Sequence, residues 1–251
     1  MSRITKGKRG VNGRAVAAPG RWIFGSLALG FAYLCYVYLT LPDVRPLSSA
    51  NPTTTAFIQL RSDEAHQAGR PARRVQRWVT YSRISPHLKK AVLVAEDAAF
   101  WQHEGIDLVQ IQESLEVDLA RGQLVRGAST ITQQLAKNLY LSPTRNPLRK
   151  LRELVIARRL EAELTKARIL ELYLNVIEWG DGIYGVDAAA RAYFNQPAAS
   201  LGPEESALLA AAIINPRILN PAKPSTRLVR RQQLILKRMG VVAPPADSSG
   251  V

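Results

Sequence analysis

Two short stretches concentrate the residue types that do chemistry. The first is Glu96-Asp97-Ala98-Ala99-Phe100-Trp101-Gln102-His103-Glu104-Gly105. The second is Gly127-Ala128-Ser129-Thr130-Ile131-Thr132-Gln133-Gln134-Leu135-Ala136-Lys137-Asn138. Together they set carboxylate, amide, hydroxyl, imidazole and ammonium groups around apolar anchors, a mixture that a stable core does not need. It suits a site that binds a sugar diphosphate and moves a proton. Glu96 is the candidate base, because burial beside apolar groups such as Phe100 would make its carboxylate basic enough to take a hydroxyl proton. A helix-end carboxylate in a surface salt bridge accounts for its spacing equally well. Lys137, Arg145 and Arg149 are cations near the Gln-Gln pair. A pyrophosphate leaving group needs neutralisation rather than a proton, and Lys and Arg supply it. A solvated basic face is the commoner origin of any lone lysine.

Other side chains have narrower options. Ser129, Thr130, Gln133, Gln134 and Asn138 can hydrogen-bond sugar or phosphate oxygens, although Ser129 or Thr130 is also placed to cap a helix. Glu153 lies 4 residues after Arg149, so an ordinary helical ion pair competes with a catalytic role. His103 has only His66 and His87 for company, which gives a zinc cluster little support and leaves it to fix the loop after Glu96. No metal ligands are assigned.

These residues need helices to hold them. Ser85-Pro86 offers a cap and a first-turn proline, and the helix that follows ends at Glu96 and Asp97, where carboxylates oppose the helix dipole. Further helices are predicted over 106–120, from Ser129 or Thr130 to about 139, over 148–164, from a Thr165 cap to 175, over 187–194 and over 204–214. Glu171 and Asn175, at i and i+4, read as structural supports. Strand-period alternation is lacking, although residues 75–81 could form a short strand. The fold class expected is mainly α.

Residues 22–41 carry no charge, and a helix of that length spans about 30 Å, the thickness of a bilayer core. Arg3, Lys6, Lys8, Arg9, Arg14 and Arg21 precede it without any acidic residue, which places the N-terminus in the cytoplasm. A cleaved signal peptide fits less well, since its apolar core is shorter and no small-x-small site follows Leu41. The net charge is +14 over 251 residues. Such a balance suits nucleic acid, anionic membrane or phosphorylated substrates; without a nucleic-acid module, the last two remain. Cys35 is the only cysteine, so no intramolecular disulfide can form.

Five ordered motifs resemble the peptidoglycan glycosyltransferases, the family 51 enzymes that polymerise lipid II. The two opening stretches match Glu-Asp-x-x-Phe-x-x-His-x-Gly and Gly-x-Ser-Thr-Ile-x-Gln-Gln-x-x-Lys-Asn. Then come Arg149-Lys150-Leu151-Arg152-Glu153, Ile169-Leu170-Glu171-Leu172-Tyr173-Leu174-Asn175, and Gly182-Ile183-Tyr184-Gly185-Val186 with Ala188-Ala189. The likeness covers roughly residues 85–221, and five motifs in order are far more specific than one. It implies a lysozyme-like helical domain with a smaller membrane-proximal lobe, here preceded by the one transmembrane helix read from the uncharged run. It implies Glu96 as the base and Glu153 as a second active-site carboxylate near the donor sugar. Lys137 and Arg145 would contact the diphosphate. The substrate-binding set it implies also holds Asp97, Phe100, His103, Ser129, Thr130, Gln133, Gln134, Asn138 and Arg149.

The expected organisation is a basic cytoplasmic tail over 1–21, a transmembrane helix over 22–41, a connector over 42–84, a glycosyltransferase domain over 85–240 and a flexible tail over 241–251. The expected partners are lipid II, the growing glycan strand and the bilayer, with room for other cell-wall synthesis proteins and no nucleic acid. The expected location is the inner (plasma) membrane, with the catalytic domain outside. No tightly bound cofactor is expected; Mg²⁺ or Mn²⁺ could accompany the substrate pyrophosphate. The Ser-x-x-Lys and Lys-Thr-Gly motifs of a transpeptidase domain do not occur. A lysozyme-type hydrolase and a non-catalytic cell-wall scaffold are the competing readings.

Overall fold

The computed structural model describes residues 19–121, 129–141 and 147–240, and the side chains of these except at 19–23, 115, 118–121 and 147. The expected tails over 1–18 and 241–251 lie outside the described residues, as do Gly127, Ala128 and Arg145. The chain divides after Leu41 into two units. The first contains α1, Pro19–Leu39, which covers most of the uncharged run. Among the described residues, whose side chains begin at residue 24, no helix is long and apolar enough to cross a membrane.

The second unit is mainly helical. It contains α2 (Ala56–Gln67), α3 (Pro86–Glu96), α4 (Leu108–Arg121), α5 (Ile131–Tyr140), α6 (Pro147–Glu163), α7 (Lys166–Val176), α8 (Val186–Phe194), α9 (Pro203–Ala212) and α10 (Thr226–Met239). Seven of these fall where the periodicity predicts a helix. Two do not. The stretch read as a connector carries α2, whose Thr55 side chain accepts from the Ile58 N–H at 3.1 Å and which packs on α5. Its apolar residues, Phe57, Ile58 and Leu60, form no clear stripe, and Ile58 alone is buried. The other, α10, is strongly amphipathic. Leu228, Ile235 and Met239 are its buried residues, at i, i+7 and i+11, and Ser225 caps it by accepting from the Leu228 N–H.

Two packing groups build the core. In one, the alanine-rich α9 packs against both α3 and α10, with Ser206 and residues 207–212 buried. In the other, α5 packs on α6 and α7. Every residue of α7 from Ile169 to Val176 is buried, so beyond its first turn this helix has no solvent face. Thr165 caps it as predicted, accepting from the Arg168 N–H at 3.2 Å. Ser85 precedes α3 but gives no side-chain cap; its buried hydroxyl donates to the Leu201 carbonyl at 2.7 Å instead, tying α3 to the start of α9.

The predicted strand over 75–81 is confined to β1, Val75–Gln76. It joins β2 (Glu178–Gly180) and β3 (Ile183–Tyr184) in a small sheet of order β1-β3-β2, with β1 parallel and β2 antiparallel to β3. Strands of two or three residues are too short to show a period. The Gly-Ile-Tyr-Gly motif is their signature: Gly182 has φ +70°, and a Cβ there would lie 2.6 Å from the Arg73 carbonyl oxygen. Gly185 has φ +79°, with the Arg77 and Asn175 carbonyls each 3.0 Å from a Cβ.

Glu171 and Asn175 act as the supports expected. Glu171 accepts from the Tyr81 N–H at 2.7 Å. Asn175, fully buried, accepts from the Val79 N–H at 2.9 Å and donates to the Val79 and Glu171 carbonyls at 2.8 Å. Asn175→Ala orphans both polar groups of Val79, so we expect a loss of about 2 kcal/mol in urea unfolding. A loss below about 0.5 kcal/mol would mean that the 79–81 segment finds other partners.

Candidate active site

Glu96 is the last residue of α3, and Asp97 is its C-cap, with an N–H bonded to the Leu93 carbonyl. The two neighbours face different tasks. Asp97 is 2% exposed and accepts from the Ile131 N–H at 2.9 Å, so it anchors the start of α5. It also accepts from His103 Nε2 at 3.0 and 3.1 Å. The Gly105 N–H donates to His103 Nδ1 at 3.1 Å. That leaves Nδ1 without a proton and makes Nε2–H the donor to Asp97. His103 thus fixes the loop after Glu96, as the sequence suggests. Phe100 is fully buried beneath it, edge-on to Trp101 and His103, with Lys166 Nζ 4.4 Å from its ring centre.

Thr130 is the N-cap of α5. Its hydroxyl accepts from the Gln133 N–H at 3.2 Å and donates to the Gly105 carbonyl at 2.7 Å, so its bonding serves the helix start and the loop. Capping there directs one face of α5 at Glu96. Gln134 Nε2 donates to Glu96 Oε2 at 3.0 Å, and Gln134 Oε1 accepts from the Tyr173 hydroxyl at 2.8 Å. Asn138 spends its side-chain donor on the Gln134 carbonyl one turn back, at 2.8 Å. Burial pushes the Glu96 carboxyl above its ordinary range. The Gln134 bond and the charges of Arg231 and Lys137 oppose that shift, and Asp97 reinforces it.

The second carboxylate comes from α6. Glu153 is 3% exposed and is held by two cations of its own helix, Arg149 Nη1 at 2.9 Å and Lys150 Nζ at 2.5 Å. Lys150 also donates to Ser129 Oγ at 3.2 Å and to Gln133 Oε1 at 3.1 Å, lacing the start of α5 to α6. Lys137 makes no hydrogen bond or ion pair among the described residues. Burial lowers its pKa; the carboxylates of Glu153 and Glu96 raise it, while Arg149 and Lys150 lower it further. Its ammonium therefore feels both candidate carboxylates and two of the site's cations, with no bond to any of them among the described residues.

Of the residues singled out from sequence, Glu96, Gln134 and Lys137 on one side and Ser129, Gln133, Arg149 and Glu153 on the other are joined by bonds or mutual charge. Asp97, Phe100, His103, Thr130 and Asn138 form the frame that holds them. Arg145 lies outside the described residues. Three participants were not singled out. Lys150 stands inside the Arg-Lys-Leu-Arg-Glu motif, and its spacing of 3 from Glu153 is a helical contact distance. Tyr173 is buried behind Gln134. Arg231 approaches from α10, where its Nε donates to the Ala211 carbonyl at 3.2 Å.

Asp97, His103 and Asp107 bring potential metal-ligand atoms within 4.8 Å of one another. The loop already uses them. Both Asp97 oxygens, both imidazole nitrogens and Asp107 Oδ1, which accepts from the Gln110 N–H at 2.8 Å, have protein partners. This set does not fit a resident cation. Glu153, with an ion pair on each oxygen, is no better placed.

Known proteins match this arrangement across most of the chain. The transglycosylase family model matches residues 63–240. A biosynthetic peptidoglycan transglycosylase of Nitrosomonas eutropha is 49% identical over 189 residues, 75% of this chain and 78% of that protein. Proteins of the same description from Laribacter hongkongensis and Dechloromonas aromatica are 44% and 45% identical, over 90% and 91% of this chain and 99% and 97% of theirs. With a half-buried carboxylate and ammonium brought into one site and a family match over residues 63–240, the chain belongs to the transglycosylase family.

Proposed function

We propose that this chain is a peptidoglycan glycosyltransferase of cell-wall synthesis that polymerises lipid II. The observation that carries the reading is the pairing of Glu96, half-buried and raised in pKa, with Lys137, half-buried and without a hydrogen bond or ion pair among the described residues. A carboxylate in that state is a good proton acceptor, and an unpaired ammonium beside it is a seat for a phosphate oxygen. In this mechanism Glu96 takes the proton from the acceptor GlcNAc 4-hydroxyl. That oxygen attacks C1 of the donor MurNAc from the face opposite the leaving group. The C1–O bond breaks, its electron pair leaves with undecaprenyl pyrophosphate, and the anomeric centre inverts from α to β. Lys137 neutralises the departing charge, together with Arg149, Lys150 and, by motif, Arg145. Glu153, clamped by its two cations, fixes their geometry near the donor sugar. A lysozyme-type hydrolase needs two carboxylates as well, but its leaving sugar oxygen needs a proton rather than cations.

A divalent Mg²⁺ or Mn²⁺ would enter with the pyrophosphate, whose charge it would help neutralise, rather than on protein ligands. The lysozyme-like lobed architecture follows from the same family reading. The uncharged run over 22–41, with basic residues on one side only, is the proposed inner-membrane anchor, N-terminus inside and the catalytic unit outside.

The test is incubation of the full chain with labelled lipid II in detergent. Polymer and released undecaprenyl pyrophosphate are expected; disaccharide-sized hydrolysis products, or no turnover, would defeat the reading. A chain lacking residues 1–41 should retain activity in detergent but turn over more slowly on lipid II in vesicles, because the anchor confines enzyme and substrate to one surface. Full activity on vesicles at low enzyme concentration would show the anchor to be dispensable.

A further inference from the structure

Away from the Glu96 cluster, α2, the segment 70–73 and the β2–β3 turn enclose a recess of about 50 Å³. Its wall includes Tyr184, which is 1% exposed and whose hydroxyl has no hydrogen-bond partner. A buried phenol is almost always bonded, so this orphan marks a place where a partner is missing. Glu178, Arg61 and Asp181 line the same recess.

The charges around it are unevenly spent. Glu178 is satisfied by Arg61 Nε at 3.1 Å and the Gly182 N–H at 3.3 Å. Glu64 takes Arg61 Nη1 at 2.7 Å, and Asp181 takes Arg217 Nε at 3.3 Å. Arg70 and Arg73 line the same recess and have no side-chain hydrogen bond or ion pair among the described residues. Arg73, Asp181 and Arg217 also border a wider adjoining hollow, whose other walls include Ile183, Tyr193 and Pro216.

We propose that this recess binds the carboxylate end of a short peptide, which accepts a hydrogen bond from the Tyr184 hydroxyl and faces the guanidinium groups of Arg70 and Arg73 while its apolar chain lies in the adjoining hollow. The charge count selects the ligand. Four arginines face three carboxylates here, so one negative charge balances the recess, whereas a dianionic phosphate would leave it net negative. The small volume suits a planar three-atom group. The side of the adjoining hollow formed by Ile183, Tyr193 and Pro216 suits the chain that such a group terminates.

The experiment titrates the full chain in detergent, by calorimetry, with N-acetyl-alanyl-alanine, its C-terminal amide and inorganic phosphate. The free acid should bind, the amide about tenfold or more weakly, and phosphate more weakly than the acid. Tyr184→Phe and Arg73→Ala should each weaken the acid about five- to tenfold. Without peptide, Tyr184→Phe should melt no lower than the parent, because the hydroxyl it removes has no partner to lose. Equal binding of acid and amide, phosphate binding as tight as the acid, no binding of the acid, or undiminished binding by either variant overturns the proposal. So does a clear fall in the melting temperature of peptide-free Tyr184→Phe, which would mean that the hydroxyl is already bonded. None of these readouts uses lipid II turnover, so the outcome is independent of the glycosyl-transfer reading.

Discussion

Glu96→Gln is expected to lower lipid II polymerisation by about 10²–10⁴-fold while making the fold more resistant to heat at neutral pH. The two effects share one cause. The amide can still accept the Gln134 Nε2–H bond that the carboxylate accepts at 3.0 Å, so the local frame survives. It cannot take a proton from the acceptor hydroxyl. Burial raises the Glu96 pKa in the folded chain above its unfolded value. A carboxyl shifted upward stabilises the fold fully only below its unfolded pKa of about 4.3, and that contribution is lost as pH rises through the folded pKa. At neutral pH the ionised Glu96 therefore opposes folding, and Gln removes the opposition. The melting temperatures of parent and variant should converge below about pH 4 and separate above it. A variant that turns over normally would remove Glu96 from the base role. One that is inactive but less stable at neutral pH would show that the carboxylate serves the fold.

Lys137→Ala is expected to cost about 10²–10³-fold in turnover, the scale for losing one preorganised group that meets developing negative charge. Binding of the diphosphate-linked donor should suffer more than binding of the unphosphorylated sugar, and equal losses would point to a structural lysine. The pH profile provides a second reading. On the proposed mechanism, turnover needs Glu96 ionised and Lys137 protonated. Burial moves the first group's pKa up and the second's down, so the active window should be narrower on both sides than free Glu and Lys would give. Lys137→Arg keeps the charge at all accessible pH and should move the alkaline limb upward while the acid limb stays. An unmoved alkaline limb would assign it to another group.

The sequence exposes the chemistry more readily than the frame around it. Glu96 and the Gln-Gln helix stand out because polar types crowd between apolar anchors, and the long helices stand out because their apolar spacing matches 3.6 residues. What stays hidden depends on contacts distant in the chain. Asp97 gains its meaning from the Ile131 N–H, 34 residues on, and Lys150 from reaching Ser129 and Gln133 as well as Glu153. No local pattern could assign the Ser85 hydroxyl to Leu201 rather than to its own helix. The β-strands are shorter than their own period, and α2 has no apolar stripe to read. By contrast α10 was legible: its buried residues and Ser225 cap follow ordinary helix rules, and reading them would have brought Arg231 into view.

The packing of α3 against α9 and α10 has a consequence for how the protein is made. The helix that ends in Glu96 emerges early from the ribosome, but the helices that cover it come more than a hundred residues later. Contacts of such range form slowly and late, after the loop between them has closed. A nascent chain that has displayed both signature motifs still lacks α9, α10 and the Arg231 charge that tempers Glu96. The surroundings of Glu96 are thus completed by α10, the last helix among the described residues. A chain cut before residue 226 should be inert however intact its motifs.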